Sequence, residues 1–312
     1  MGGEAPSIIA VGLVCLDHLA RIRAEWARGY GPIEDYLAQG GGLTATAAVA
    51  AARLGAQVEF WTRVGDDFTG RFLLDELRGE GVGVSSSVVV AGATSPVSLV
   101  HVDAGSGERT IYHFPGRLLD APAGGLPYAR IAGAACLLLD DWWRPAAQHA
   151  AEAACAAGVP VVADLFPNHA NADLVARVSH LVVAKAHFDA ASPASPADLL
   201  RRLHGLGPRV VALTMGAEGC WYSDGAAVGH APAFQLEPVV DTTGAGDVFH
   251  GAFGYALARG WDLDAVVEFA SAVAALKCRK LGGRTGIPTL PEALDFLRAQ
   301  GASPRWAGTT SA

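Results

Sequence analysis

The stretch Val239-Val240-Asp241-Thr242-Thr243-Gly244-Ala245-Gly246-Asp247-Val248-Phe249-His250-Gly251 sets the tightest limit on what this chain can fold into. Two β-formers lead into a polar, glycine-spaced turn. Apolar residues then recur by threes and fours at Phe249, Ala252, Phe253, Ala256 and Leu257, the period of a helix, and Gly260 supplies its stop. The predicted strand, turn and helix leave the N–H groups of residues 244–247 free at the positive end of a helix dipole, a geometry that binds anions and phosphate above all. Asp247 would repel such a ligand unless it has separate work, and taking a proton from a hydroxyl is such work. The plainer alternative is a capping carboxylate beside a tight turn.

The rest of the chain alternates in a way that fits this unit. Ser7 to Val14 reads as a buried first strand ending near Asp17, and a carboxylate past a strand's C-terminal end is where open α/β sheets place ligand contacts. Gly40-Gly41-Gly42 opens an alanine-rich helix, Leu43 to Leu54, closed by Gly55. Three glycines in a row imply a sharp turn or a close approach to the backbone. Gln57 to Val64 is strand-like and a helix follows from Phe68 to Arg78; Val88 to Phe114 is β-rich, with a hairpin turn at 103–108. Strands and helices then alternate from Cys136 onward to a second glycine-spaced turn at Thr214-Met215-Gly216-Ala217-Glu218-Gly219. The pattern predicts one α/β domain over 1–312 with a β-rich lid drawn from about 15–39 and 88–117, and a loose tail over 301–312.

Composition narrows the function. The net charge of −8 gives no basic footprint, so nucleic acid and anionic membranes are excluded as main partners, while a small anion held by local geometry is not. The five cysteines are dispersed with no Cys-x-x-Cys pair, which fits reduced thiols rather than a disulfide framework or zinc site. No signal-like start and no apolar run near ~18 residues is present, so a soluble cytoplasmic protein is expected. No Gly-x-x-x-x-Gly-Lys-Ser/Thr occurs, and the only lysines are Lys185, Lys277 and Lys280, which rules out a P-loop. No protein-kinase signature set and no Gly-x-Gly-x-x-Gly after the first strand occur either.

Taken together, these residues resemble the ribokinase, or PfkB, family of carbohydrate kinases, from Gly12 to about Pro288. Asp241 to Asp247 resembles the family's C-terminal signature. Gly40-Gly41-Gly42, Arg53-Leu54-Gly55, Arg63-Val64-Gly65-Asp66-Asp67 and Gly70 resemble its N-terminal one. Within the family, the strings 45–58, 246–251 and 274–278 look most like bacterial sulfofructose kinases and ketohexokinase-like members.

The resemblance implies a three-layer α/β/α fold with a mostly parallel central sheet and a small β-sheet lid, ATP and Mg²⁺ as cofactors, and a homodimer joined through the lid. It implies that Asp247 is the catalytic base and that Gly244, Ala245 and Gly246 form the anion hole. Asp17, Gly41, Gly42, Thr46 and His113 fall on the sugar side. Thr214, Gly216, Gly219, Lys185, Thr243, Cys278 and Gly283 fall on the nucleotide side, with a monovalent cation, K⁺, near Asp241 and Thr243. The chain departs from the family at Ala184-Lys185-Ala186-His187, where many members carry Asn-x-x-Glu, and at Thr46, where many carry Asn. Tyr30, His113, Trp142, Arg109, Arg117 and Arg144 are the lid and strand-end residues available to read a sugar's identity. The expected activity is ATP-dependent phosphorylation of a small ketose or sugar derivative, fructose-like or sulfofructose-like. A nucleoside kinase and a catalytically impaired sugar-binding regulator are the alternatives.

Overall fold

The computed structural model describes residues 4–23, 31–188 and 195–302; Tyr30 and residues 303–312, named above, lie outside them. The large sheet runs in the order β15 (Val228–Ala231), β14 (Cys220–Ser223), β13 (Val210–Thr214), β12 (His180–Ala184), β11 (Val161–Asp164), β10 (Cys136–Leu139), β1 (Ser7–Val11), β4 (Gln57–Trp61), β6 (Val82–Gly83). It is parallel from β6 to β13, and only β14 and β15 are antiparallel.

Strand alternation sorts the core into two layers. Ile8, Ala10, Phe60, Leu138, Val162 and Ala212 face helices α1 (Leu43–Arg53), α2 (Phe68–Gly79), α6 (Ala245–Ala258), α7 (Leu263–Lys277) and α8 (Leu290–Ala299). Ile9, Val11, Leu137, Leu139, Ala163 and Leu213 face α3 (Arg144–Ala157), α4 (Ala172–Val175) and α5 (Pro196–His204). The result is the three-layer α/β/α arrangement expected of parallel strands buried on both faces. The alanines of α1 let α6 lie close: a Cβ on Gly251 would stand 2.2 Å from the Ala47 carbonyl oxygen.

A second sheet orders β3 (Asp35–Gly41), β2 (Cys15–Ile22), β8 (Val97–Asp103) and β9 (Arg109–Phe114). Two features of the N-terminal half differ from the pattern read in the sequence. The apolar run from Ser7 does not continue to Asp17 as one strand; it breaks at Gly12, and Asp17 lies within β2 of the small sheet. Val88–Val90 (β7) pairs with Arg63–Gly65 (β5) in a separate ribbon.

The switch point of the large sheet lies between β1 and β10, which carry the chain to opposite sides, and such a crevice is where ligands bind in open α/β sheets. Asp140, fully buried just after β10, organises it. Its carboxylate accepts the N–H groups of Leu13 (2.9 Å), Thr44 (3.2 Å) and Trp142 (2.9 Å) and the Thr44 hydroxyl (2.8 Å). It thereby caps α1 from outside, since Gly42 at the N-cap has no side chain to do so.

Candidate active site

The chain enters α6 without a preceding strand. Val239 and Val240 are β-formers in composition, yet the N–H groups of Val240 and Asp241 both reach the Cys278 carbonyl at the end of α7 (2.9 and 3.2 Å). Asp241 is fully buried and ties this corner together, its carboxylate accepting Thr243 N–H at 2.7 Å and Gly282 N–H at 2.8 Å. The Lys277 ammonium donates to its carbonyl oxygen at 2.9 Å. Gly244, the N-cap, has φ 75°, and a Cβ there would stand 2.9 Å from the Gly283 Cα, so both conformation and space demand glycine.

The helix end presents one free donor fewer than its sequence suggested. Ala245 N–H turns back to the Thr242 carbonyl at 3.2 Å, while those of Gly244, Gly246 and Asp247 have no partner among the described residues. The Thr243 hydroxyl beside them is buried and unpartnered. Unpaired donors and a buried orphan hydroxyl at a helix N-terminus form a concavity suited to an anion.

Asp247 is the third residue of α6. One turn further along, His250 bonds the Val162 carbonyl at 3.0 Å, which fixes α6 against β11. Two residues beyond Val162, on the same face of that strand and at its C-terminal end, stands Asp164; the helix step and the strand step both lead toward the site. Burial first, then the charges of Asp17 and Asp140, push the Asp247 carboxyl up to about 7 against the pull of Arg109 and Lys277. Asp164 is raised well above the usual carboxylate range, by burial first and then by the charges of Asp247 and Asp140.

The small sheet supplies the opposite wall. Its register puts Gln39, Asp17, Ser98 and His113 in one row across β3, β2, β8 and β9. Asp17 is buried and accepts the Cys15 thiol at 3.2 Å. Burial raises its pKa, and hydrogen bonds from Cys15 and Ser98 and the Arg284 charge oppose that rise. Gly41 packs beneath it, since a Cβ there would stand 1.9 Å from Asp17 Oδ2. Gly42, at φ 95°, lies against the Leu13 carbonyl. His113 Nδ1 meets the Ser98 hydroxyl at 3.1 Å, its ring abuts Trp142 edge-on at 4.8 Å, and its Nε2 is buried and unpartnered. Burial lowers its pKa, so the ring is neutral at neutral pH. Thr46 differs from its companions: it is buried in α1 with its hydroxyl 3.5 Å from Arg284 Nε, and almost none of it opens to the cleft.

On the other flank, Thr214 ends β13 beside Ala184 of β12, and Lys185 follows in a short turn over 185–187. Gly216 (φ 57°) and Gly219 (φ 89°) shape the next turn, where Met215 N–H bonds the Gly219 carbonyl at 2.8 Å. Cys278 caps α7, and Gly283 lies against Gly244.

Several residues that sequence reasoning passed over belong to this region. Arg284 is fully buried and donates to the Gly41 carbonyl at 2.9 Å and to Glu76 at 3.2 Å, and Glu76 accepts Gly40 N–H at 2.6 Å. Ser98, Asp164 and Lys277 are the others. The only sequence signal for Lys277 and Arg284 was a charge inside an otherwise apolar or glycine-rich segment. The lid also touches the anion-binding turn directly: Thr242 gives its N–H (3.2 Å) and hydroxyl (3.1 Å) to the Gly107 carbonyl and accepts Arg109 Nη1 at 3.2 Å. Among the described residues no group of three or more His, Cys, Asp or Glu is placed to hold a metal, and no helix is long and apolar enough to cross a membrane.

A family model described as "pfkB family carbohydrate kinase" matches residues 13–290. The ribokinase of Bacillus subtilis (strain 168) is 32% identical over 262 residues, which cover 82% of this chain and 87% of that protein. A putative ribokinase from Agrobacterium tumefaciens, known from its crystal structure, superposes with a TM-score of 0.87 at 32% identity, over 95% of this chain and 99% of that one. The Arabidopsis thaliana ribokinase, solved with ribose and ATP, superposes with a TM-score of 0.79 at 22% identity, over 95% and 99% of the two chains.

Proposed function

Because the chain belongs to the pfkB family of carbohydrate kinases, we propose that it transfers the γ-phosphoryl group of ATP to a hydroxyl of a small sugar, a ketose or sugar derivative. The transfer takes place between the strand ends of the large sheet and the inner face of the small one. The observation that carries this reading is a carboxylate whose pKa burial brings to about 7, set in the first turn of a helix whose N–H groups are unpaired.

Asp247 takes the proton of the acceptor hydroxyl as that oxygen bonds to the γ-phosphorus, while the bond from the γ-phosphorus to the β,γ-bridging oxygen breaks and ADP leaves. The N–H groups of Gly244, Gly246 and Asp247 hold the equatorial oxygens, where charge accumulates. Asp17 and the backbone at Gly41 and Gly42 orient the sugar, and His113 Nε2 offers one more polar contact. Thr214, Gly216 and Gly219 flank the nucleotide, with Lys185, Thr243, Cys278 and Gly283 lining its phosphate side.

The residues present fit Mg²⁺. Asp164 and Asp247 offer the hard oxygen donors it takes, with phosphate oxygens and water completing the set. When bound, the metal neutralises charge on the phosphate oxygens. This carboxylate pair stands in for the missing Asn-x-x-Glu.

A nucleoside acceptor is the second reading, since the edge-on His113 and Trp142 rings beside the Asp17 row could flank a base. The active form is a homodimer joined through the outer face of the small sheet.

The test is turnover of ATP against ribose, fructose, sulfofructose and nucleosides with and without Mg²⁺. Sugar-dependent, metal-dependent turnover is expected. Asp247→Asn should lower kcat by roughly 10²- to 10⁴-fold while ATP still binds, and near-normal turnover in that variant would sink the assignment.

A further inference from the structure

Lys277 is one of three lysines in the chain, and its side chain is entirely shielded from solvent. An ammonium taken out of water is costly to keep, whereas methionine would fill similar space without charge. The cation therefore calls for a reason.

Its surroundings supply one. The ammonium sits on the Asp241 carbonyl oxygen, the first residue of the loop that ends at Asp247. That residue's carboxylate is committed to Thr243 and Gly282, and its N–H to the carbonyl closing α7. Lys277 thus holds the start of the anion-binding turn from within the protein. The charged and titratable groups that act on it are Asp241 from the loop, Cys278 from its own helix, Arg109 from β9 and Asp247 from α6.

We propose that Lys277 is an internal counter-cation, a positioning residue that fixes the 241–247 loop and adds positive charge behind its N–H groups, so that phosphoryl transfer needs no exchangeable monovalent cation. This rests on the kinase reading above. It also replaces the K⁺ expected near Asp241 and Thr243: the oxygen that would attract such an ion already holds an ammonium. Burial lowers the lysine's pKa and the Asp241 carboxylate works against that fall.

The experiment compares full-length protein in potassium, sodium and tetraethylammonium chloride at equal ionic strength, using any sugar the panel identifies. Wild-type kcat is expected to agree within about twofold across the three salts, and activation by potassium of roughly tenfold would overturn the proposal. In Lys277→Met, kcat should fall and the ATP KM should rise while the sugar KM stays within about twofold of wild type. In Lys277→Ala, ammonium or potassium should restore part of the loss. A Met variant with unchanged kcat and ATP KM would also overturn it.

Melting curves give a readout independent of turnover. Potassium should raise the Lys277→Ala midpoint above that in tetraethylammonium and leave the wild type unmoved; a potassium-specific rise in the wild type would count against the proposal. If no sugar is phosphorylated, the kinase reading fails while the melting comparison still decides the role of Lys277. If neither variant folds, the wild-type salt comparison decides it.

Discussion

At the scale of single residues, Asp247 carries two opposed consequences. As a base it acts only when deprotonated, so kcat/KM should climb as pH rises through about 7 and level off above it. A pH–rate profile measures this, and a limb near pH 4 would show that the buried environment is lost in solution. The same carboxyl weakens the fold. Its pKa rises from 3.8 in the open chain to about 7 in the folded one, so the native state binds the proton more tightly. The stability this contributes is complete below the unfolded value and is lost as pH rises through the folded one. At pH 8 Asp247→Asn should therefore melt a few degrees higher than wild type while being nearly inactive. A variant that is both inactive and less stable would mean that the carboxylate is a structural cap. Asp164, raised by its own burial first and then by the charges of Asp247 and Asp140, is the companion to watch: Asp164→Asn should raise the Mg²⁺ concentration needed for half-maximal turnover, because it removes a hard oxygen donor.

At the scale of elements, the glycine strand is held by partly buried ion pairs. Arg284 reaches the Gly41 carbonyl and Glu76, while Arg53 forms a two-pronged pair with Glu80 (2.8 and 2.6 Å) and donates to the Arg284 carbonyl at 2.7 Å. Removing one partner from such a pair leaves the other uncompensated. Because Glu76 keeps partial access to water, Arg284→Met should cost roughly 1–3 kcal/mol in chemical denaturation. It should also raise the sugar KM more than the ATP KM, since Gly41 lies under Asp17 and not beside the nucleotide turn. Adding Glu76→Met should recover part of the stability but not the KM, which separates folding from positioning.

These same elements show what a linear reading reaches. Local chemistry was readable: the glycines at 42 and 244 announce turns, which the structure makes with positive φ, Gly55 and Gly260 end helices, and the period of α6 follows from its apolar residues. Roles created by distant contacts were not. Val239 and Val240 look like a strand, but their neighbour in space is the end of α7 rather than another strand. The break at Gly12 was hidden because apolar residues continue on both sides of it, and its cause, the carboxylate of Asp140, lies more than a hundred residues away; a Cβ on Gly12 would stand 2.3 Å from it. Asp164, Lys277 and Arg284 acquire meaning only from what packs against them.

At the scale of the whole molecule, the outer face of the small sheet leaves Tyr36, Leu99, Tyr112 and Phe114 exposed, with His18 stacked on Tyr36. An apolar sheet face of this kind is suited to pairing. Leu99→Lys combined with Tyr112→Glu should convert a dimer to a monomer in sedimentation analysis. A wild-type monomer at micromolar concentration would remove the dimer from the proposal.

The contact between Gly107 and Thr242 joins the two walls of the cleft: the turn between β8 and β9 is hydrogen-bonded to the loop that leads into α6. Whatever steadies the small sheet over an acceptor also steadies the turn that grips phosphate, and the reverse. Acceptor and donor should therefore bind with heterotropic synergy, each tightening the other by the same factor, as thermodynamic reciprocity requires. Titration calorimetry of a non-hydrolysable nucleotide with and without sugar measures that factor directly, and replacing Thr242 with valine should bring it toward one.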